Sequence, residues 1–334
     1  MSDWVFVTGG SGYVGSHVSA HLKTATDYSV MLIDRRGNFL PHTTRYCDVF
    51  ADEDFSSDVV LQAIRDYRPS CIIHCADDPL VENGIQDPLE VWNENVIKTI
   101  KLLKSCAYNS VPKFIFLSTS QVYLDDNSLK TETSTILPNT TYGRTKIGIE
   151  HLLKDCYVAH GISSLSIRTF NIAGSHNVYD LGQLRGAPHL VPNAMESLVH
   201  GKTLEVFGNK FNTPDGTPVR DWLHVMDLAD AIVSSIKWLD SNQGSHSMNI
   251  GSGNQASVID MINQCESLFG KNITYAFSEK RHYDPPYRLV ESAMLRKSLV
   301  WTPKRTIRDI LLDSFKWYNS YTYKNLVDMG VWHI

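Results

Sequence analysis

Along the first half of the chain, short runs of consecutive apolar residues alternate with stretches whose apolar positions return every three or four residues. The runs at Val5-Phe6-Val7, 29–33, 70–74, 113–118 and 164–168 predict strands, and their near-continuous apolar character predicts burial on both faces. Segments 59–67, 89–107 and 142–160 predict the intervening helices. This order predicts an α/β protein with a doubly wound, parallel sheet covered on both sides. Past Asn171 the pattern loosens into loops such as 175–188. Leu204-Glu205-Val206-Phe207 and 219–225 then read as two strand-like segments joined by a turn at 212–217. No repeat, low-complexity tract or flexible linker interrupts the chain, which predicts a smaller C-terminal α/β lobe packed tightly on the first.

Composition narrows the class. A chain of 334 residues that is 43% hydrophobic and 20% charged is long enough for a large core and a second lobe. Its net charge of −5 argues against a broad nucleic-acid surface, so any bound phosphate must be met by local arginines and helix ends. The cysteines Cys47, Cys71, Cys75, Cys106, Cys156 and Cys265 follow no metal-ligand spacing, which predicts reduced thiols and no metal. The start lacks a basic region before its apolar stretch, and no run approaches the roughly 20 residues needed to span a bilayer. The expectation is a cytoplasmic protein.

The first apolar run breaks into Thr8-Gly9-Gly10-Ser11-Gly12-Tyr13-Val14-Gly15. Glycines three apart between a strand and a helix allow a sharp turn, close approach of a pyrophosphate, and tight packing of the helix on the sheet. The anion then meets free N–H groups at the helix's positive end. Nineteen residues past Gly15, the second strand ends in Asp34, whose carboxylate can accept both hydroxyls of an adenosine ribose. Arg35 and Arg36 follow and could meet a 2′-phosphate, but the acidic residue would repel one, so NAD is favoured over NADP.

Tyr142-Gly143-Arg144-Thr145-Lys146 supplies candidate chemistry, since residues at i and i+4 of a helix share a face. An ammonium beside a phenol favours the phenolate and makes it a usable base near neutral pH. The strand before it ends in Ser118-Thr119-Ser120, which would bring the Thr119 hydroxyl beside the phenol.

These features, in this order, resemble the extended short-chain dehydrogenase/reductase family with its Rossmann-type fold, and within it the NAD-dependent UDP-galactose (UDP-glucose) 4-epimerases, over nearly the whole chain. The stretch 208–229, with Arg220-Asp221-Trp222-Leu223-His224-Val225-Met226-Asp227, is its most distinctive segment. The resemblance implies a catalytic set of Thr119, Tyr142 and Lys146, with Lys146 also holding the nicotinamide ribose. It implies cofactor contacts from Gly9, Gly12, Tyr13, Val14, Gly15, Asp34, the adenine-side pair Asp48-Val49, and Asn95. For the nucleotide sugar it implies Asn171, His189, Leu190, Val206, Phe207, Arg220, Arg281, Asp284 and Arg288. It further implies a homodimer formed through the two long helices, a cofactor domain over 1–170 with a returning segment near 219–250, and a sugar-nucleotide lobe over 171–334.

The sequence departs from that family at three places. His74-Cys75-Ala76-Asp77-Asp78-Pro79 replaces a small, Gly-containing segment with a lysine, so the two carboxylates either face solvent or follow a different backbone path. Leu124 and Thr141 replace a glycine and a proline at the rim of the sugar pocket. Arg288 stands where the family gates the hexose 2-substituent. The implied reaction is inversion at C4 of a UDP-hexose. Another nucleotide-sugar epimerase, or a 4,6-dehydratase, is the alternative enzyme; dehydration needs an acid and a base directly after Thr119, where this chain has Ser120-Gln121. A silent dinucleotide-sensing protein is the alternative outside catalysis.

Overall fold

The computed structural model describes residues 3–35 and 42–331. Its first half alternates strands and helices: β1 (Trp4–Thr8), α1 (Tyr13–Ala25), β2 (Ser29–Asp34), β3 (Val49–Asp52), α2 (Asp58–Tyr67), β4 (Cys71–His74), α3 (Val81–Gln86), α4 (Pro88–Trp92), α5 (Lys98–Tyr108), β5 (Lys113–Thr119), α6 (Thr141–His160) and β6 (Ser163–Thr169). The second half adds β7 (Asn171–Ala173), α7 (Leu190–His200), β8 (Leu204–Phe207), β9 (Val219–His224), α8 (Val225–Ser241), β10 (Ser245–Ile250), β11 (Gln255–Ser257), β12 (Tyr275–Ser278) and β13 (Tyr287–Arg288).

Seven strands form one sheet in the order β10-β6-β5-β4-β1-β2-β3, and every pair in it is parallel. The period of two explains why its strands are apolar throughout. Val5, Val7, Ile73, Ile115 and Ile167 join Val18 and Leu22 of α1 and Leu228 and Ile232 of α8 in one core. Phe6, Ile72, Phe114 and Phe116 face the other way, onto Ile64 of α2, Leu102 of α5 and Leu153 of α6. Each strand therefore buries both sets of side chains, as the continuous apolar runs require. Strand order reverses between β4 and β1, which opens a crevice at the carboxyl ends of these strands, where such sheets bind ligands.

Two details differ from the sequence expectation. The helix over 89–107 is interrupted, with the π turn Asn93–Ile97 between α4 and α5. The segments at 204–207 and 219–225 are strands, but they do not pair with each other. β8 pairs with β12 alone, while β9 is the centre of a small sheet with β7, β11 and β13. From β9 the chain returns through α8 to β10 at the edge of the large sheet, and Met195, Val206, Ile262 and Trp317 belong to a separate core built from the second half of the chain. Among the described residues no helix is long and apolar enough to cross a membrane.

Candidate active site

The glycine turn has no room for a side chain at Gly9 or Gly15. Gly9 has φ +64°, and a Cβ there would stand 2.7 Å from the Ala76 nitrogen. A Cβ on Gly15 would stand 2.1 Å from the Gly9 oxygen, so the turn and α1 could not close together. Gly12 caps the 13-residue α1 without any side-chain hydrogen bond, leaving its amino end to the crevice. Tyr13 and Val14 begin that helix. The Tyr13 hydroxyl donates to the Gly174 carbonyl at 2.7 Å and so anchors α1 to the end of β7, while Val14 packs against the first core.

Asp34 ends β2 beside this turn, and its carboxylate accepts from the Ser11 backbone N–H at 2.9 Å. A dinucleotide seated on α1 would meet it at the adenosine ribose, so the residues present fit NAD. Arg35 turns toward Glu94 and Asp54 at 3.3 and 3.5 Å, whereas Arg36 lies outside the described residues.

The Asp48-Val49 pair does not reach the same place. Asp48 precedes β3, and its carboxylate accepts from the Val30 N–H at 2.7 Å and from Lys23 at 2.8 Å, at the amino end of the strands. Burial raises its proton affinity, but the Lys23 and Val30 contacts outweigh that and hold the carboxyl below the usual range. The strand register instead sets Asp52 against Asp34, so the carboxyl edge of β3 carries Asp52 and Glu53. Sequence spacing missed these because two acidic residues bracket one short strand.

Asn95 sits inside the π turn and is buried. Its carbonyl accepts from the Asp78 N–H at 2.7 Å, and its amide donates to the Asp78 carbonyl at 3.1 Å and to Thr145 at 3.2 Å. The extra residue of the π turn re-aims this side chain at the loop after β4. Asp78 also accepts from the Leu80 N–H and from Asn83, which fixes the loop at both ends.

Asp77 lies next to Asp78 on this clamped loop. It does not face solvent, because its carboxylate turns into the catalytic pair: 2.5 Å from the Lys146 ammonium and 3.3 Å from the Tyr142 hydroxyl. Lys146 is almost wholly buried, donates to the Leu117 carbonyl at 2.7 Å and lies over the ring of Phe116 at 4.5 Å. Tyr142 and Lys146 meet there because Thr140 caps α6 through the Gly143 N–H, and because Gly143 has no side chain. A Cβ on it would stand 2.3 Å from the Gln121 carbonyl. α6 can therefore lie against the turn that follows Thr119. Burial, then the Asp77 carboxylate, push the Tyr142 phenol well above its ordinary pKa, and the Thr119 hydroxyl pulls it back. His74, at the end of β4, is driven down to about 3 by burial and by Lys146, and bonds Thr8 and Thr99 as a neutral ring.

Across the cleft, β9 and β13 bring Arg220 and Arg288 side by side, and Arg281 lies on the loop before β13. Arg220 of β9 donates to Asp284 at 3.2 Å and to the Pro285 carbonyl at 2.9 Å, and burial followed by the nearby Arg288 charge brings its pKa down to about 10. Arg281 lies over the Phe207 ring at 3.8 Å. Arg288 donates to Asp125 at 3.0 Å, and Asp125 also accepts from Asn139 at 2.8 Å. Asp125 was not visible as a site residue in the sequence. Asn171 donates to the Asp221 carbonyl at 3.3 Å, and His189 caps α7 ahead of Leu190 while bonding Gln183 at 2.9 Å. The Val206 side chain is buried in the second core, whereas the Phe207 ring lies under the Arg281 guanidinium.

The sequence pattern of the NAD dependent epimerase/dehydratase family matches residues 5–251. The chain is 32% identical to the UDP-glucose 4-epimerase of Azospirillum brasilense, covering 95% of this chain and 92% of that one. To the enzyme of the same name from Yersinia pestis it is 31% identical, covering 94% and 97%. Among solved structures, UDP-glucose-4-epimerase from Stenotrophomonas maltophila, with bound NAD and formylated UDP-arabinopyranose, superposes with a TM-score of 0.89 at 26% identity over 97% of this chain and 100% of that one. UDP-glucose 4-epimerase from Bifidobacterium longum, in complex with NAD+ and UDP, gives 0.88 at 28% over 96% and 99%. The chain belongs to the NAD dependent epimerase/dehydratase family.

Proposed function

We infer that this protein is an NAD-dependent epimerase that inverts C4 of a UDP-hexose of the UDP-glucose and UDP-galactose type. The observation that carries the reading is the convergence of Tyr142, Lys146 and Thr119 at the carboxyl edge of the sheet, beside the glycine turn and facing a cleft walled by arginines. The turn, Asp34 and Lys146 would hold NAD, which supplies the acceptor and donor of the hydride at C4. Tyr142 takes the proton of the 4-hydroxyl and returns it to the inverted carbon's oxygen, because it is the group whose proton the site can move. The Thr119 hydroxyl faces the phenol and eases its ionisation. Arg220 and Arg281 supply guanidinium groups suited to a diphosphate in a chain that is acidic overall.

Asn171, His189, Leu190 and Phe207 border the sugar-nucleotide side in this reading. The cofactor domain in this reading comprises the first 170 residues with a returning segment that starts at 225 rather than 219, since β9 pairs in the small sheet, and the second lobe closes over the sugar. Leu89, Trp92, Ile97 and Ile100 form an exposed apolar strip on the helical run, which suits pairing with a second copy, and a cytoplasmic setting supplies both nucleotides. The test is incubation with UDP-galactose, UDP-glucose and their N-acetyl and uronate analogues. Interconversion at unchanged product mass is expected; loss of water would point to dehydration, and no turnover of any of them would end the reading.

A further inference from the structure

A carboxylate between the two groups of a tyrosine–lysine base is not a neutral spectator. An ammonium offers three donors, and Lys146 spends two of them on the Leu117 carbonyl and on Asp77. The Asp77 carboxylate also accepts the phenol proton of Tyr142 at 3.3 Å. Its place is enforced. The loop that carries it is clamped by Asn95 to the Asp78 backbone, by Asn83 to the Asp78 side chain, and by the close approach of Ala76 to Gly9.

We propose that Asp77 is a positioning residue of the proton-transfer centre: its carboxylate bridges Lys146 and Tyr142, offsets the ammonium's charge and holds the phenol's proton, so that the phenol releases it to solvent, and becomes ready to take the 4-hydroxyl proton, only at higher pH. This rests on the reading of Tyr142 as the base. The groups facing the phenol are Asp77 and Asp78 from the loop after β4, Thr119 from β5 and Lys146 from its own helix. His74 and Cys75 at the end of β4 face Lys146 and Asp77 but carry no charge at neutral pH, since burial drives the imidazole down to about 3 and the thiol up to about 12. Glu82 of α3 is taken by Tyr283 and Arg281. Asp77 is thus the negative group nearest the phenol, and it acts twice, by repelling the phenolate and by sharing the lysine.

The consequence is a base that forms at higher pH than Tyr142 and Lys146 would give alone. A like charge within hydrogen-bond distance shifts a pKa by about one unit or more, which is about tenfold in proton affinity. The experiment follows Tyr142 in the NAD-loaded protein by NMR of labelled tyrosine, with the Tyr142→Phe spectrum identifying the signal. In Asp77→Asn the phenol should titrate at least one pH unit lower than in the parent, including the case in which only the variant titrates within the stable range. The rise of kcat with pH should move the same way. Asp77→Gly, which removes charge and amide together, gives the same shift and serves if the Asn variant does not fold. Coincident titration curves, or no titration in either protein, overturn the proposal while leaving the base assignment standing. A Tyr142→Phe enzyme with near-parental activity would overturn the base assignment instead, and the titration would still report on Asp77.

Discussion

Arg288 lies directly in register with Arg220 across the β13–β9 pair, and each holds its own carboxylate, Asp125 and Asp284 respectively. Two guanidinium groups side by side would repel, and the carboxylates make the pairing tolerable. They also divide the labour. Arg220 is tied to Asp284 and the Pro285 carbonyl on the lobe that carries it. Arg288 reaches instead to Asp125, on the segment that follows β5 and Thr119, so its ion pair spans the cleft between the two halves of the site.

That bridge bears on sugar selection. Exchanging Arg288 for Ser or Tyr removes the cation and unfastens Asp125 on one side, though Asn139 still holds it. The preference among UDP-glucose, its N-acetylated form and its uronate should then change by about tenfold or more as a ratio of kcat/KM values, because a paired charge near the sugar has gone. If all ratios stay within about twofold, Arg288 does not touch the sugar pocket.

Replacing Tyr142 by Phe should leave the buried ring packed while removing the proton carrier. Folding and NAD retention should survive, and kcat should fall by about 10²- to 10⁴-fold. Lys146→Met acts differently. It takes away the cation beside the phenol and leaves the Asp77 carboxylate without it, so the proton affinity of Tyr142 should rise and the activity profile move to higher pH. NAD should also dissociate more readily on dilution. An unchanged pH profile would count against the coupling of lysine to tyrosine.

The sheet and the catalytic pair were legible because each rests on local regularity: continuous apolar runs for strands buried on both faces, glycines three apart, and Tyr and Lys one helical turn apart. Elements whose meaning depends on distant partners were not. Which acid of 48–52 faces the cofactor edge is decided by pairing with β2, and the pairing puts Asp48 at the wrong end. The role of Asp77 depends on a loop path set by Asn95, and Asn95 is aimed by a π turn that no periodicity announces. Asp125 and Arg288 meet across 163 positions of chain.

The two acids near the cofactor edge can be separated by one measurement. Asp34→Ala deletes a charged acceptor that faces the crevice and also frees the Ser11 N–H, so NAD affinity should drop at least about tenfold, in line with roughly 1.5–3 kcal/mol for hydrogen bonds to a charged group. Asp48→Asn keeps an acceptor for the Val30 N–H and loses only a half-exposed ion pair with Lys23, so NAD affinity should stay within about twofold. Calorimetric titration of NAD into cofactor-stripped protein reads both. A large loss in Asp48→Asn would restore it as an adenine-side residue.

Acid should unfold this protein through histidines of the cofactor domain as well as through its carboxylates. His17 of α1 is fully buried, with its Nδ1 against the Tyr13 carbonyl at 2.7 Å. Burial drives its pKa down to about 3, the Tyr13 carbonyl opposes that shift, and the neighbouring His224 and His176 add to it. The unfolded chain has an imidazole near 6.5, so between the two values the unfolded state takes the proton and the folded state refuses it. Stability from this group is therefore present above about pH 6.5 and lost as pH falls toward 3, on the order of 2 kcal/mol by pH 5. Urea unfolding of the parent near pH 7.5 and pH 5 should show that loss, and His17→Gln should show less of it, since its amide can still bond Tyr13 but binds no proton. Equal losses in the two proteins would mean that His17 is already protonated, or already exposed, in the folded state.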